Sequence, residues 1–136
     1  MARADYRKSK GDFIFHNENP KNSLSAADCV VRAIAKGTNQ TWDQVFKSLY
    51  DVALKVKDIP NTKKVYSKYL KDIGYTMQKQ PKNPDGTKLT VQDFINQNPE
   101  GTYICKLRGH LTVVVDGHLY DTWNCLDDVV GNFWTK

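Results

Sequence analysis

Between Ser23 and Gly74 apolar residues recur every three to four positions. From Thr102 onward they alternate or run together, so helices are expected first and strands last. In "SLSAADCVVRAIAKGTN", Val30, Ile34 and, at the margin, Val31 form a buried stripe. Ser25 with Asp28 three residues on fits a capping box, and Gly37 reads as the stop. A second helix opens at Thr41 with Gln44 at the box position. It turns Trp42, Val45, Phe46, Leu49, Ala53 and Leu54 inward. Pro60-Asn61 breaks the chain. A third helix, 63–73, presents Val65, Tyr69, Leu70 and Ile73 opposite a lysine face and ends at Gly74.

The remainder reads as strands with one helical interruption. "FIF" is a short strand in an extended lead-in, and "YTMQKQ" is another. Thr90 with Asp93 caps a short helix, "VQDFINQ". "TYICKL", "HLTVVV" and "HLYDTW" are rich in β-branched and aromatic residues. The expected fold is α+β in one domain spanning 1–136, with N-terminal helices packed on a C-terminal antiparallel sheet. Its parts are a lead-in (1–22), a helical part (23–75) and a mainly β part (76–136).

The last two of these strands make a specific geometric prediction. Asp116-Gly117 suits a two-residue type I′ turn, which sets Val115 opposite His118, Thr112 opposite Asp121 and His110 opposite Trp123. Alternation then puts His110, Asp121 and Trp123 on one face. Diagonal neighbours lie with β-carbons about 7 Å apart or less, within bridging range of an imidazole and a carboxylate. A one-residue slip would lose the pair. Taken alone, a His and an Asp on adjacent strands are more simply a chance polar pair.

Composition narrows the setting. Apolar content of 40% and 11% aromatics fit a globular chain. No apolar stretch approaches the roughly 18 residues that span a membrane, and "MARADYRKSKGDF" lacks the apolar core of a secretory signal. Cys29, Cys105 and Cys125 are odd in number, which favours a reducing compartment, and a cytoplasmic protein is expected. The net charge of +5 is uneven. Residues 1–90 hold 17 basic against 9 acidic groups, and residues 91–136 hold 3 against 6. Such a basic half attracts nucleic acid or acidic partners, although a solvated lysine face is the plainer account.

Cys29 follows Asp28 in the first turn of the first helix, where the dipole favours an anion. The helix end is worth at most about 2 kcal/mol, and Asp28 opposes it, so it moves a thiol of pKa about 8.5 by roughly a unit. A thiolate near pKa 4 needs an imidazolium beside it. His110 on one strand and Asp121 on the next supply a base and an orienting carboxylate, which is Cys–His–Asp logic.

The order of a helix-borne Cys29, then "GHLTVVVDG", then "YDTW" resembles the papain-like cysteine peptidases. The "GH-x-x-V-V-V-x-G" run looks like the small peptidases of that clan that cut after double-glycine leaders. "NENPKN" followed by "DCVVRAIA" resembles small uncharacterised proteins of phages and Gram-positive bacteria that share the fold. The resemblance covers about residues 13–125. It implies Cys29 as nucleophile, His110 as general base and acid, Asp121 as orienting residue and Trp123 as the shielding aromatic. That family usually carries a glutamine six residues before the cysteine as an oxyanion donor. Here that position is Ser23, so the Cys29 N–H is one donor and the second falls to Asn22, Asn19, Asn17 or Ser23. A missing donor costs about 10²–10³ in rate.

Three other readings stand beside this one. Zinc would take Cys105, His110, His118 and Cys125, but no C-x-x-C pair appears and His118 faces away from His110. No metal or cofactor is therefore expected. A binding module without catalysis would hold a protein, or nucleic acid through Tyr50, Tyr66 and Tyr69 among lysines, although helical spacing assigns those tyrosines to packing. Deamidation or acyl transfer would use the same thioester. A protein or peptide substrate is the expected partner, with no membrane association.

Overall fold

The computed structural model describes residues 9–136, so residues 1–8 of the expected lead-in lie outside the described part. The elements run β1 (Phe13–Phe15), α1 (Cys29–Thr38), α2 (Trp42–Val56), α3 (Lys63–Asp72), β2 (Thr76–Gln78), α4 (Val91–Gln97), β3 (Thr102–Leu107), β4 (His110–Val115), β5 (His118–Asp121) and β6 (Phe133–Thr135). The expected capping boxes form at Thr41–Gln44 and Thr90–Asp93. The class is α+β as expected. However, the six strands make a mixed sheet in the order β1-β5-β4-β3-β6-β2, rather than a purely C-terminal antiparallel one. β1, from the lead-in, runs parallel to β5, and the other four neighbouring pairs are antiparallel. β6 has no counterpart among the expected elements, because three residues are too few to display a period.

Both faces of this sheet are covered. α1, α2 and α3 pack on one face against Ile104, Leu111, Val113 and Trp134. On the other face α4 and its flanks bring Leu89, Val91, Phe94 and Ile95 onto Cys105, Leu107, Val114 and Leu119. Consecutive residues Val113 and Val114 therefore enter opposite cores, which is why "VVV" runs unbroken instead of alternating with polar residues.

α1 departs from its expected start. Ser25 is exposed and its amide rests on the Ser23 hydroxyl; the N-cap is Asp28, whose side chain caps nothing. A missing cap costs about 1 kcal/mol, whereas each buried Val or Ile contributes about 1.5–3 kcal/mol. Burial of Val30, Val31 and Ile34 outweighs the lost cap, and Cys29 becomes the first helical residue.

The end of α1 also moves. Gly37 lies inside the helix, and Asn39 takes the left-handed cap at φ 55°. Gly37 serves close approach instead: a Cβ there would meet Val113 Cγ2 at 3.2 Å and Ile104 Cγ1 at 3.4 Å. α2 differs in which side chains it buries. Val45, Leu49 and Ala53 go inward, while Phe46 and Leu54 stay exposed beside Tyr50.

The absence of a side chain at Gly37 sets how closely α1 lies on β3 and β4, and hence where Cys29 sits. Gly37→Val is expected to lower unfolding free energy by about 1–3 kcal/mol in urea titration, through overpacking.

Candidate active site

The hairpin forms in the expected register. Val115 pairs with His118, Val114 with Leu119 and Val113 with Tyr120. Asp116 and Gly117 both take positive φ, 48° and 78°, as a type I′ turn requires. His110 thus opens β4, Asp121 closes β5, and both lie at the sheet end that the start of α1 approaches.

Asp121 is 3% exposed and fully engaged. Its Oδ2 meets His110 Nε2 at 2.6 Å and accepts the Thr112 hydroxyl at 2.7 Å. Its Oδ1 accepts the Thr122 amide at 2.7 Å and Arg32 Nη1 at 3.1 Å. Trp123 lies against the imidazole, with ring centroids 5.2 Å apart. Nε2 being taken, Nδ1 is the ring nitrogen left for Cys29.

The electrostatics follow from these contacts. Burial pushes the Cys29 thiol up. Hydrogen bonding to His110 and to the Leu111 backbone, with the charges of His110 and Arg32, outweighs burial and brings it below its ordinary value. Burial also disfavours the His110 imidazolium, but Asp121, Cys125 and Cys29 overcome that and raise it to about 11. Asp121 is pushed up by burial and brought down further by His110, Thr112 and Thr122, so it stays ionised. Across this row the shifts favour the charged form of each group, thiolate, imidazolium and carboxylate.

Arg32 was not among the residues singled out in the sequence. Its Nε donates to Asp28 Oδ1 at 2.8 Å while Nη1 holds Asp121 and, at 3.1 Å, the Thr122 hydroxyl. Asp28 also accepts Asn19 Nδ2 and Trp42 Nε1, each at 2.9 Å. The opposition expected from Asp28 is therefore absorbed by a guanidinium that itself favours the thiolate. The visible signal was an arginine inside an otherwise apolar "VVRAIA", four residues after an aspartate.

The oxyanion candidates are placed as follows. Asn17 donates to the Ser23 carbonyl, Asn19 donates to Asp28, and the Ser23 hydroxyl accepts the amides of Ser25 and Ala26. Asn22 is exposed at φ 55°. These groups shape the loop before Cys29. A cleft of about 270 Å³ opens on the other side of Cys29 and His110, bordered by Asn61, Lys63, Tyr66 and Lys106. Burial, then the Cys29 charge, pushes the Tyr66 phenol up to about 12, so it remains a proton donor.

The other cysteines differ in kind from Cys29. Cys105 and Cys125 are buried, and burial raises both thiols. The four soft ligands considered for zinc do not gather. His118 turns to the Asp116 carbonyl at the hairpin tip, and the grouped ligand atoms are those of His110, Asp121 and Cys125, within 4.8 Å of one another. Of the tyrosines considered for nucleic acid, Tyr66 and Tyr69 are buried and only Tyr50 is exposed. Among the described residues no helix is long and apolar enough to cross a membrane.

Two outcomes test this electrostatic arrangement. Arg32→Met leaves the buried Asp28 without its cationic partner and Asp121 with His110 alone, and is expected to cost about 3–5 kcal/mol in urea titration. The second is a pH profile of stability. Asp121 is depressed, so its contribution is present above its ordinary 3.8 and lost as pH falls. His110 is raised, so its contribution is present below 6.5 and lost as pH rises toward about 11. Cys29 is depressed from 9.0, so its contribution grows up to that pH and offsets the His110 loss above 6.5. Between pH 6.5 and 9 wild-type stability is therefore expected to fall less steeply with rising pH than that of Cys29→Ser, read by urea titration across pH. Comparison with family models, with curated proteins and with solved structures finds no match to this chain.

Proposed function

We propose that this chain is a papain-like cysteine peptidase, or a related thiol hydrolase, that cleaves an amide or isopeptide bond of a protein or peptide substrate. The observation that carries the reading is the His110 ring, held through Nε2 by a buried carboxylate and set beside a partly exposed thiol at a helix start. In the proposed reaction the Cys29 thiolate attacks the carbonyl carbon, and the carbonyl π pair moves onto oxygen. The Cys29 amide at the uncapped start of α1 is one donor to that oxygen. His110 gives its proton to the amide nitrogen as the C–N bond breaks, leaving a thioester and a free amine. The neutral ring then takes a proton from water, the hydroxide adds to the thioester, and the thiolate leaves. Side chains and water suffice, without a cofactor. Three free cysteines support a reducing, cytoplasmic setting, and the resemblance to phage and Gram-positive proteins supports a bacterial or infected-host one.

A second reading, a papain-like module that binds without efficient turnover, has one observation in its favour. The side-chain amides of Asn17 and Asn19 already donate within their own loop, and the Ser23 hydroxyl is turned to accept the amides of Ser25 and Ala26. A site with one oxyanion donor fewer loses about 10²–10³ in rate. Deamidation and acyl transfer share the thioester and differ only in which amide is attacked or which acceptor arrives.

Trace iodoacetamide at about pH 6, where an ordinary thiol is below about one per cent ionised, is expected to label Cys29 selectively, as read by mass mapping. His110→Ala should abolish that selectivity. Equal or faster labelling of Cys105 or Cys125 would defeat the proposal.

A further inference from the structure

A second feature adjoins the proposed nucleophile from the α2 side. Phe46, Tyr50 and Leu54 recur every four residues along the outer face of α2, and each is more than 40% exposed. Ile59, at 63%, stands beside them in the loop before α3. They do not form a flat patch. A hollow of about 340 Å³ is lined by Ala27, Val31, Trp42, Phe46, Ile59 and Pro60. A second, of about 320 Å³, shares Ile59 and Pro60 and continues to Tyr50 and Leu54. The first also shares Asn61 with the cleft that holds Cys29 and His110. The three hollows thus stand in a row, each sharing a lining residue with the next, and make a segmented groove that begins at the proposed nucleophile. From Trp42 to Leu54 it extends about 18 Å along α2, the reach of about five residues of extended chain.

The groove is tied to the catalytic geometry. Trp42 stacks on Phe46, with ring centroids 5.2 Å apart and planes 5° from parallel. Its indole N–H is fastened to Asp28, the residue before Cys29. One wall of the hollow is therefore positioned by the cap of the helix that carries the thiol. The character of the surface changes on the other side of Cys29, where Lys63 and Lys106 border the cleft.

We infer that this groove is the substrate-recognition site: it takes a polypeptide with bulky apolar side chains on one side of the scissile bond, while the lysines receive carboxylates on the other. This rests on the hydrolase reading for its scissile bond, and it assigns that reading a substrate class. An apolar side chain taken from water into the hollow is worth roughly an order of magnitude or more in affinity. The lysines act through an exposed, salt-sensitive attraction.

The test uses the full chain carrying Cys29→Ala, so that binding is read without turnover. The first probe is a short fluorescein-labelled peptide with leucine and phenylalanine on one side of an Ala–Ala centre and glutamate on the other. The second replaces its apolar residues with serine. The apolar peptide is expected to bind at least about tenfold more tightly by anisotropy, and adding Phe46→Glu or Ile59→Glu should remove that advantage. Phe46→Glu and Ile59→Glu should each keep the wild-type circular dichroism spectrum and urea midpoint, which shows that the fold survives. If the apolar peptide binds in this way but the wild-type chain leaves it uncut, the hydrolase reading falls and the groove assignment stands. If the wild-type chain cuts both peptides with equal kcat/KM, the groove assignment falls and the hydrolase reading stands, and equal binding of the two peptides alone also overturns the groove assignment. A concentration-dependent dimer abolished by Phe46→Glu in sedimentation would give the face to a second copy and overturn the assignment.

Discussion

The buried carboxylate of Asp121 is the point on which the arrangement depends. It receives His110 and Thr112 from β4, the following backbone amide, and Arg32 from α1. No single contact sets the position of Cys29 relative to His110. It follows from a helix and a hairpin fastened to the same carboxylate. A charge so far removed from water is tolerated only when its lone pairs are all met, and here they are. The same saturation fixes the rotamer of Asp121 and therefore the plane of the imidazole.

Seen along the chain of contacts, Asp28, Arg32, Asp121, His110 and Cys29 alternate in sign. Each ion has an opposite charge as its neighbour, which keeps the thiolate affordable inside a half-buried site. The lowering of the Cys29 thiol is thus a property of the row and not of the helix end alone, whose dipole moves a thiol by only about a unit. The contrast with Cys105 and Cys125 makes the point. They have the same side chain and deeper burial, and burial raises both.

The surface around the thiol has two sides with different chemistry. One is aromatic and aliphatic along α2, and the other carries lysines beside β3 and α3. Trp42 joins the first to the site through Asp28, so a change in the apolar wall and a change in the cap of α1 share one hydrogen bond. Recognition and reactivity in the proposed enzyme would meet at that contact.

Much of this could be read from residues close together in the chain. The boxes at Thr41 and Thr90, the α2 and α3 stripes, and the register set by Asp116-Gly117 all depend on neighbours within a few positions, so local sterics and hydrogen bonding specify them. His110 and Asp121 shared a face for the same reason. Ser25 as cap and Gly37 as stop failed because the deciding forces come from afar. Arg32 and Trp42 draw Asp28 away from the helix amides, and Ile104 and Val113 require a glycine within the helix. Phe46 and Leu54 fit a helical period that could not say which edge of the stripe meets the core. The sequence by itself determined most of the elements, the hairpin register and the shared face of His110 and Asp121. Only the tertiary structure decided that Arg32 bridges two carboxylates and that Cys29 lies beside an imidazole some eighty residues away, because burial and long-range charge pairing exist only once the chain has closed on itself.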